Sequence, residues 1–117
     1  MKPNILKEKS YTFALRIVKL YQFLSSERKE HVRSKHVLRS GTFIGDNIQE
    51  AYQGESKPDF IHKLEIANKE AFETHYWLRL LRDRFILETN LAESIMSDCD
   101  DLQRMLVAAI KTAKSRR

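Results

Sequence analysis

The chain has 117 residues, of which 42% are hydrophobic and 32% charged, a balance that excludes a disordered chain and allows one domain with a core. Its single cysteine excludes an internal disulfide and a zinc site built from several cysteines. The net charge of +5 is concentrated in residues 1–40, where ten Lys and Arg accompany three Glu, which predicts a basic surface able to meet phosphates.

Two helices are predicted in the first half of the chain. The first covers about residues 10–25 and the second about residues 28–53. The start of the second helix is open, because Ser26 and Ser34 are both possible N-caps and the residues between them could form a separate turn. Gly54 is placed to end this helix. The first helix is predicted from an apolar stripe of Phe13, Ile17, Leu20 and Leu24.

Two glycines inside the second predicted helix need a reason, since a helical glycine costs about 0.5–1 kcal/mol relative to alanine. Gly41 and Gly45 share one face of this helix with Val37, Ile44 and Ile48. We interpret them as close-packing positions, at which the backbone of another helix comes near. A phosphate-binding glycine loop would need a preceding strand, and none is predicted.

The third predicted helix covers about residues 57–86, with Ser56 as its cap and Pro58 and Asp59 in its first turn. Its apolar stripe consists of Phe60, Leu64, Ala67, Ala71, Thr74, Leu78, Leu81 and Phe85. Beyond this stripe it carries more apolar residues than one bundle can bury, namely Ile66, Phe72, Tyr76, Trp77 and Leu80. We interpret this cluster as a subunit interface; the alternative is packing on neighbouring helices of the same chain.

The fourth predicted helix covers about residues 91–114 and begins at Asn90 with Glu93 as a capping pair. Its apolar stripe consists of Leu91, Ile95, Cys99, Leu102, Leu106, Ala109 and Ala113. No segment alternates apolar and polar residues, so no sheet is predicted. Short connections between long amphipathic helices predict an all-α, antiparallel up-down-up-down four-helix bundle that forms a single domain over residues 1–117.

Three segments carry a family resemblance that extends over nearly the whole chain. They are Ile5-Leu6-Lys7-Glu8-Lys9-Ser10 with Phe13-Ala14-Leu15-Arg16-Ile17-Val18; Leu38-Arg39-Ser40-Gly41-Thr42 with Ile44-Gly45 and Asn47-Ile48-Gln49-Glu50-Ala51; and Asp59-Phe60, Lys63-Leu64 and Lys69-Glu70-Ala71 with Glu73-Thr74-His75-Tyr76-Trp77-Leu78-Arg79-Leu80-Leu81. In these segments the chain resembles the proteins encoded by intervening sequences in bacterial 23S ribosomal RNA genes. The same family includes the accessory variability determinant proteins of diversity-generating retroelements.

The resemblance implies a four-helix bundle that assembles into a ring-like homopentamer with a basic surface. For the retroelement branch it also implies binding of nucleic acid and of a reverse transcriptase, whereas the ribosomal-insert branch has no assigned role. The run Glu73-Thr74-His75-Tyr76-Trp77-Leu78 places this chain closer to the ribosomal-insert branch. Phe43 and Asp46 stand where the family usually has serine and alanine, and the added acid weakens a transfer of nucleic-acid binding to that helix.

The basic residues predict a face that binds nucleic acid. If residues 28–39 are helical, their cations fall within an arc of about 160° opposite the glycines. Such an array would bind phosphates with a steep salt dependence and little sequence preference. The alternative is a solvated face that serves solubility alone. The predicted contacts are Lys9, Arg16, Lys19, Arg28, Lys29, Arg33, Lys35 and Arg39, with His36 in the same arc.

No catalytic, metal or cofactor site is predicted. The four histidines do not form the paired Glu-x-x-His pattern of di-iron bundles. Acids at positions 98, 100 and 101 disfavour a thiolate at Cys99, and the serines lack a convincing base.

We therefore expect a non-enzymatic, cytoplasmic homo-oligomer that binds RNA or another nucleic acid and does not act at a membrane. No apolar run approaches the ~20 residues that cross a bilayer, and nothing resembles a signal peptide. The main alternative is a scaffold for another protein, such as a reverse transcriptase or a ribosome-associated factor. A third is the product of a selfish element whose only property is assembly.

Overall fold

Four helices form the protein in a computed structural model that describes residues 4–54 and 56–116. They are α1 (Ile5–Ser26), α2 (Arg33–Tyr52), α3 (Lys57–Asp83) and α4 (Thr89–Ser115). No strand occurs among the described residues, and the predicted all-α fold class is confirmed. Of the single domain predicted over residues 1–117, residues 1–3, 55 and 117 lie outside the described residues.

Side-chain caps set the starts of α1 and α3. The predicted start of α1 near Ser10 is wrong, because Asn4 caps the helix by accepting a hydrogen bond from the backbone N–H of Lys7 at 3.0 Å. Ser10 is buried inside the helix and donates to the carbonyl oxygen of Lys7. The predicted cap of α3 is confirmed, since Ser56 Oγ accepts from the N–H of Asp59 at 3.2 Å.

The other helix boundaries differ from the prediction. Helix α2 begins at Arg33 instead of residue 28, and α3 ends at Asp83 instead of residue 86. The predicted cap Asn90 is also wrong: the carboxylate of Glu88 accepts the Leu91 N–H at 2.9 Å, so α4 begins at Thr89.

Gly54 follows α2 for a reason other than left-handed capping. No described glycine has a positive φ, so Gly54 is not a left-handed cap. A Cβ on Gly54 would instead collide with the carboxylate of Asp59. The first turn of α3 therefore lies against the end of α2, with the carboxylate of Asp59 next to Gly54.

Neighbouring helices run antiparallel. Contacts between α2 and α3 join Ser40 to Thr74 and Glu50 to Lys63, so the residue number rises along one helix as it falls along the other. The same reversal holds between α3 and α4, where His75 meets Asp100 and Glu65 meets Lys114. Helices α1 and α4 close the bundle with fewer contacts than the three sequential pairs.

The apolar stripes of the helices meet in one core. Most of the predicted stripe positions are buried, and Leu87 joins them from the loop after α3. The largest fully buried side chains are Ile17, Leu24, Val37, Ile44, Ile48, Leu64, Leu78, Leu81, Leu87, Ile95, Leu102 and Leu106.

Helix α2 packs closely against α1 at its two glycines. A Cβ on Gly41 would lie 2.8 Å from both Cγ atoms of Ile17, a distance that real contacts essentially never show. A Cβ on Gly45 would lie 3.3 Å from the carbonyl oxygen of Ser10, which is tight but close to tolerable. Gly41 therefore makes room for a buried side chain, and Gly45 for the backbone of α1.

This difference between the glycines is testable. We expect Gly41→Ala to lower the free energy of unfolding by about 1–3 kcal/mol, because the fully buried Ile17 would have to move. Gly45→Ala should be nearly neutral, since the gain in helix propensity offsets a slightly tight contact. Urea denaturation followed by circular dichroism measures both, and equal stabilities of the two variants would contradict the packing described here.

Candidate nucleic-acid interface

The cations predicted to bind nucleic acid lie in three parts of the fold. Lys9, Arg16 and Lys19 lie on α1, Arg28 and Lys29 in the loop between α1 and α2, and Arg33, Lys35 and Arg39 on α2. The continuous helical arc predicted over residues 28–39 is wrong, because residues 28–32 are not helical. The positions of Arg28 and Lys29 are therefore set by a loop.

Arg16 joins α1 to α4. Its Nη1 lies 2.7 Å from Oδ2 of Asp98, and its Nη2 donates to Ser94 Oγ at 2.9 Å. The two helices leave open cavities of about 240 and 350 Å³ on either side of this bridge, lined among others by Lys9 and by Lys19. Arg16 thus bridges the neighbouring pair of helices that contact each other least.

Arg33 is paired with the acid that caps α2. One carboxylate oxygen of Glu30 accepts the backbone N–H groups of Arg33 at 2.5 Å and of Ser34 at 3.1 Å, and the other lies 2.9 Å from Nη1 of Arg33. Burial acts to raise the pKa of Glu30, but the hydrogen bonds from Ser34 and Arg33 outweigh it and the pKa is lowered. Glu30 stays charged and holds Arg33 at the start of α2.

Arg39 lies between two acids of α3. Its Nη2 is 2.7 Å from Glu73 and 3.3 Å from Glu70, and its guanidinium also lies 5.3 Å from the centre of the Phe43 ring. Burial and the adjacent Glu73 raise the pKa of Glu70. For Glu73, the hydrogen bonds from Arg39 and Glu70 overcome the effect of burial and lower the pKa. The charge of Arg39 is therefore engaged within the bundle.

The remaining predicted cations are less engaged. Within residues 4–54 and 56–116, no ion pair involves Lys9, Lys19, Arg28, Lys29 or Lys35. Two of these residues lie in the loop of residues 27–32, and Lys35 lies in the first turn of α2 beside it.

Two loops meet at this end of the bundle, which we call the loop end: residues 27–32 between α1 and α2, and residues 84–88 between α3 and α4. Nη2 of Arg28 donates to the carbonyl oxygen of Phe85 at 3.0 Å, so the loops are joined directly. Each loop contains a left-handed residue other than glycine, Lys29 with a φ of 55° and Phe85 with a φ of 60°. Such a conformation costs about 1–2 kcal/mol for a residue with a Cβ.

Phe85 was predicted to lie in the apolar stripe of the third helix, and that prediction is wrong. The residue follows the end of α3 and its side chain is 83% exposed. The sequence did contain a signal, because three consecutive apolar residues, Phe85, Ile86 and Leu87, cannot share one helix face. Arg84 and Phe85 are thus the residues of the loop end that the sequence patterns missed.

Comparison with known proteins identifies the family. The family model described as 23S rRNA-intervening sequence protein matches residues 2–108. The chain belongs to this family.

A solved structure supports the assignment. It is a protein of unknown function from the S23 ribosomal protein family of Bacteroides thetaiotaomicron, 51% identical to this chain. The alignment covers 92% of this chain and 99% of that one, with a TM-score of 0.90. Among curated proteins, no match was found.

The residues predicted to form a subunit interface fall into two groups, one packed within its own chain and one exposed to solvent. The Trp77 ring stacks on His36 of α2, with centroids 4.4 Å apart and planes 11° apart, so it packs within its own chain. Ile66 and Leu80 are half-buried. Phe72 and Tyr76 remain open to solvent, with 64% and 53% of their surface exposed.

Cys99 has the environment of a core residue. Its thiol donates to the carbonyl oxygen of Ala71 at 3.2 Å, and burial, together with Asp100 and Asp98, raises its pKa to about 12. Such a thiol is protonated at neutral pH and is a poor nucleophile.

Neither a metal-binding group nor a membrane-spanning helix occurs among the described residues. Among the described residues, no three side chains of His, Cys, Asp or Glu are grouped to hold a metal ion. None of the described helices combines the length and apolar character needed to cross a membrane.

The Arg39 site predicts a stability that depends on pH. In Arg39→Gln, two neighbouring carboxylates lose their cation, and we expect the free energy of unfolding at neutral pH to fall by about 1 kcal/mol, as for other partly exposed ion pairs. The lowered pKa of Glu73 means that its contribution is present at neutral pH and lost as the pH falls through that pKa. The raised pKa of Glu70 acts in the opposite direction on the stability of the parent, because protonation of Glu70 as the pH falls relieves the cost of its burial and its repulsion with Glu73. Protonation of either carboxyl group removes a charge that Arg39 pairs with, so both effects reduce the difference in stability between the parent and Arg39→Gln.

The loss of unfolding free energy caused by Arg39→Gln should therefore become smaller towards about pH 4, where carboxyl groups begin to be neutral. Urea denaturation at both pH values measures it, with Lys35→Gln as the matched control that removes an unpaired cation of α2. A loss that is the same at both pH values would contradict the assigned pairing.

Proposed function

We propose that the protein is a non-enzymatic homo-oligomer that binds RNA or another nucleic acid, and that the loop end is its contact with phosphates. The observation that carries this proposal is a set of cations, in the two loops and in the adjoining first turn of α2, that form no ion pair among the described residues: Arg28, Lys29, Lys35 and Arg84. The predicted arginines on the sides of the bundle, in contrast, are engaged by acids of neighbouring helices.

The charge balance of the loop end supports phosphate binding. Residues 27–36 and 79–88 contain seven Lys and Arg against four acids. Three of those acids are engaged locally, since Glu30 pairs with Arg33, Asp83 pairs with Arg82 and Glu88 caps α4. Glu27 is then the one remaining acid of these two segments, against Arg28, Lys29, Lys35, Arg79 and Arg84, so an excess of positive charge remains. Contacts of this kind bind phosphates of any sequence and weaken as salt rises.

The exposed side of α3 supports self-association. Phe72 and Tyr76 lie on adjacent turns of one face of α3, and Val107 of α4 is exposed beside Phe72. Burying aromatic side chains of this size drives subunit assembly. The resemblance to the family is the basis on which we propose five subunits. A ring would present the loop end once in each subunit, so that several weak contacts with phosphates would together raise the affinity.

A second candidate function is a scaffold for another protein. Tyr11, Leu15 and Val18 of α1 are exposed and recur at the spacing of one helix face, which fits the packing of a partner helix. The resemblance to accessory variability determinant proteins makes a reverse transcriptase the partner to test first.

Removing the free cations tests nucleic-acid binding. We expect the triple variant Lys29→Gln, Lys35→Gln and Arg84→Gln to bind unrelated RNA sequences about tenfold more weakly at low salt. The slope of the logarithm of the binding constant against the logarithm of salt concentration should become shallower by about 2. Fluorescence anisotropy titrations at several salt concentrations measure both quantities.

The matched control removes the same charge elsewhere, by replacing the exposed residues Lys57, Lys69 and Lys111 with Gln. Unchanged binding by the loop-end variant would refute the proposed interface. Equal losses in both triple variants would show that net charge alone matters.

The assembly proposal predicts that Phe72→Glu combined with Tyr76→Glu lowers the mass of the particle without loss of helix, because charges would enter the apolar contact. Sedimentation velocity and circular dichroism measure the two properties. Ile5→Glu, which changes another exposed apolar residue, is the control and should keep the parental mass. A double variant that sediments like the parent would exclude this face as the interface.

A further inference from the structure

Phe85 occupies a backbone position that ordinarily belongs to glycine. Its N–H donates to the carbonyl oxygen of Arg82 at 3.1 Å, and the N–H of Ile86 donates to that of Leu81 at 2.9 Å. These two bonds form the Schellman motif that closes α3, with Phe85 as the left-handed residue. Because a Cβ disfavours a positive φ, the backbone alone favours glycine here.

The ring of Phe85 is presented to solvent by anchored neighbours. Leu87 is buried in the core and Ile86 is half-buried, so the residues that follow fix the loop. The side chain of Phe85 itself is 83% exposed, more than any other large apolar side chain described. Neither burial nor backbone preference explains a phenylalanine at this position.

One cation binds the backbone that carries this ring, and two more belong to the same pair of loops. The guanidinium of Arg28 reaches across from the other loop and binds the carbonyl oxygen of Phe85 at 3.0 Å. Lys29 follows Arg28 in its own left-handed position, and Arg84 directly precedes Phe85. An exposed aromatic ring and three cations therefore belong to two loops that are hydrogen-bonded to each other.

From this arrangement we infer that Phe85 stacks on an unpaired base of a single-stranded nucleic acid, whose phosphates are bound by Arg28, Lys29 and Arg84. The inference rests on the proposed function and narrows its ligand to single strands. A base offers its face to a protein ring only when it is not already stacked in a duplex. Stacking on an aromatic ring together with a basic groove is the usual way of binding single strands without reading sequence.

The balance of cations and apolar side chains at the loop end favours a nucleic acid over a protein partner. A protein interface would need an apolar centre, and beside Phe85 the two loops offer only one other strongly exposed apolar side chain, Val32, at 67%. A strand of nucleic acid needs one ring for each stacked base and cations for the phosphates between them, which is what these loops present.

The test separates stability from binding by substituting Phe85 in the full chain. Phe85→Gly should unfold at the same or a higher temperature, because it relieves the left-handed strain. Its dissociation constant for a short single-stranded oligoadenylate should nevertheless rise about tenfold, the effect expected for a lost stacking contact. Affinity for a hairpin RNA without unpaired adenines should change far less.

Phe85→Trp should retain binding to the oligoadenylate and Phe85→Leu should not. The control Phe43→Leu, at another partly exposed phenylalanine, should bind like the parent.

The outcomes distinguish this inference from the function on which it rests. A parent protein that binds neither oligoadenylate nor hairpin would refute nucleic-acid binding itself. If the parent binds both with the expected salt dependence and Phe85→Gly binds oligoadenylate equally well, the stacking role is overturned while the phosphate contact stands. Equal losses for single strand and hairpin would also overturn it. A change in particle mass in Phe85→Gly without any change in binding would assign the ring to a contact between protein chains.

Discussion

The bundle depends on α2 being able to approach α1 and α3 at the same time. Three of its buried residues are small: Gly41 and Gly45 face α1, and Ser40 is hydrogen-bonded at 2.9 Å to Thr74 of α3. The side chain of Ile17 fills the space that a Cβ on Gly41 would need, so the two positions determine each other. Protein interiors are packed too densely for such a fit to relax at low cost. With α2 fixed in this way, the ion pairs of its outer side and the loop at its start take up defined positions.

In the basic part of the chain, residues 1–40, three of the four arginines are paired with acids, and Arg28 is the exception. Arg16, Arg33 and Arg39 each bind an acid, two of them on another helix, as suits a planar group that can donate several directed hydrogen bonds. Lysines at positions 9, 19, 29 and 35 form no such pair with the described residues. A segment with an excess of cations in its sequence therefore does not become a uniformly basic face. The cations without such a pair lie both on helices, as Lys9, Lys19 and Lys35 do, and in the two loops, as Arg28, Lys29 and Arg84 do.

The sequence predicted what depends on local periodicity and left out what depends on partners distant in the chain. Most positions of the four apolar stripes, the helix count and the Ser56 cap follow from spacing and composition, and they are confirmed; the predicted stripe positions Phe85 and Leu91 are wrong, because both are exposed. Helix boundaries at Asn4 and Glu88 were missed because several polar residues near each end are equally good caps, and only the packed helix selects one.

The engagement of Arg39 by Glu70 and Glu73 joins residues more than thirty positions apart, and no pattern within one helix contains it. Trp77 was assigned to an interface for the same reason, since its stacking on His36 depends on how α2 and α3 face each other.

The two ends of the bundle differ in whether their aromatic rings are engaged by side chains of the same chain. At the opposite end the ring of Tyr52 meets Phe60 edge-on at 5.2 Å and lies 6.0 Å from the ammonium of Lys7, so it is engaged by its own chain. The second residue after α2 there is Gly54, small enough for the carboxylate of Asp59 to approach. At the loop end the second residue after α3, Phe85, is large, strained and uncovered, and the cation Arg28 binds its carbonyl oxygen instead of an acid. Strain that is not offset by contacts within the fold tends to occur where a ligand supplies the missing contact. The same bundle therefore closes one end with its own side chains and leaves at the other an aromatic ring among cations, which is the arrangement that a single strand of nucleic acid would complete.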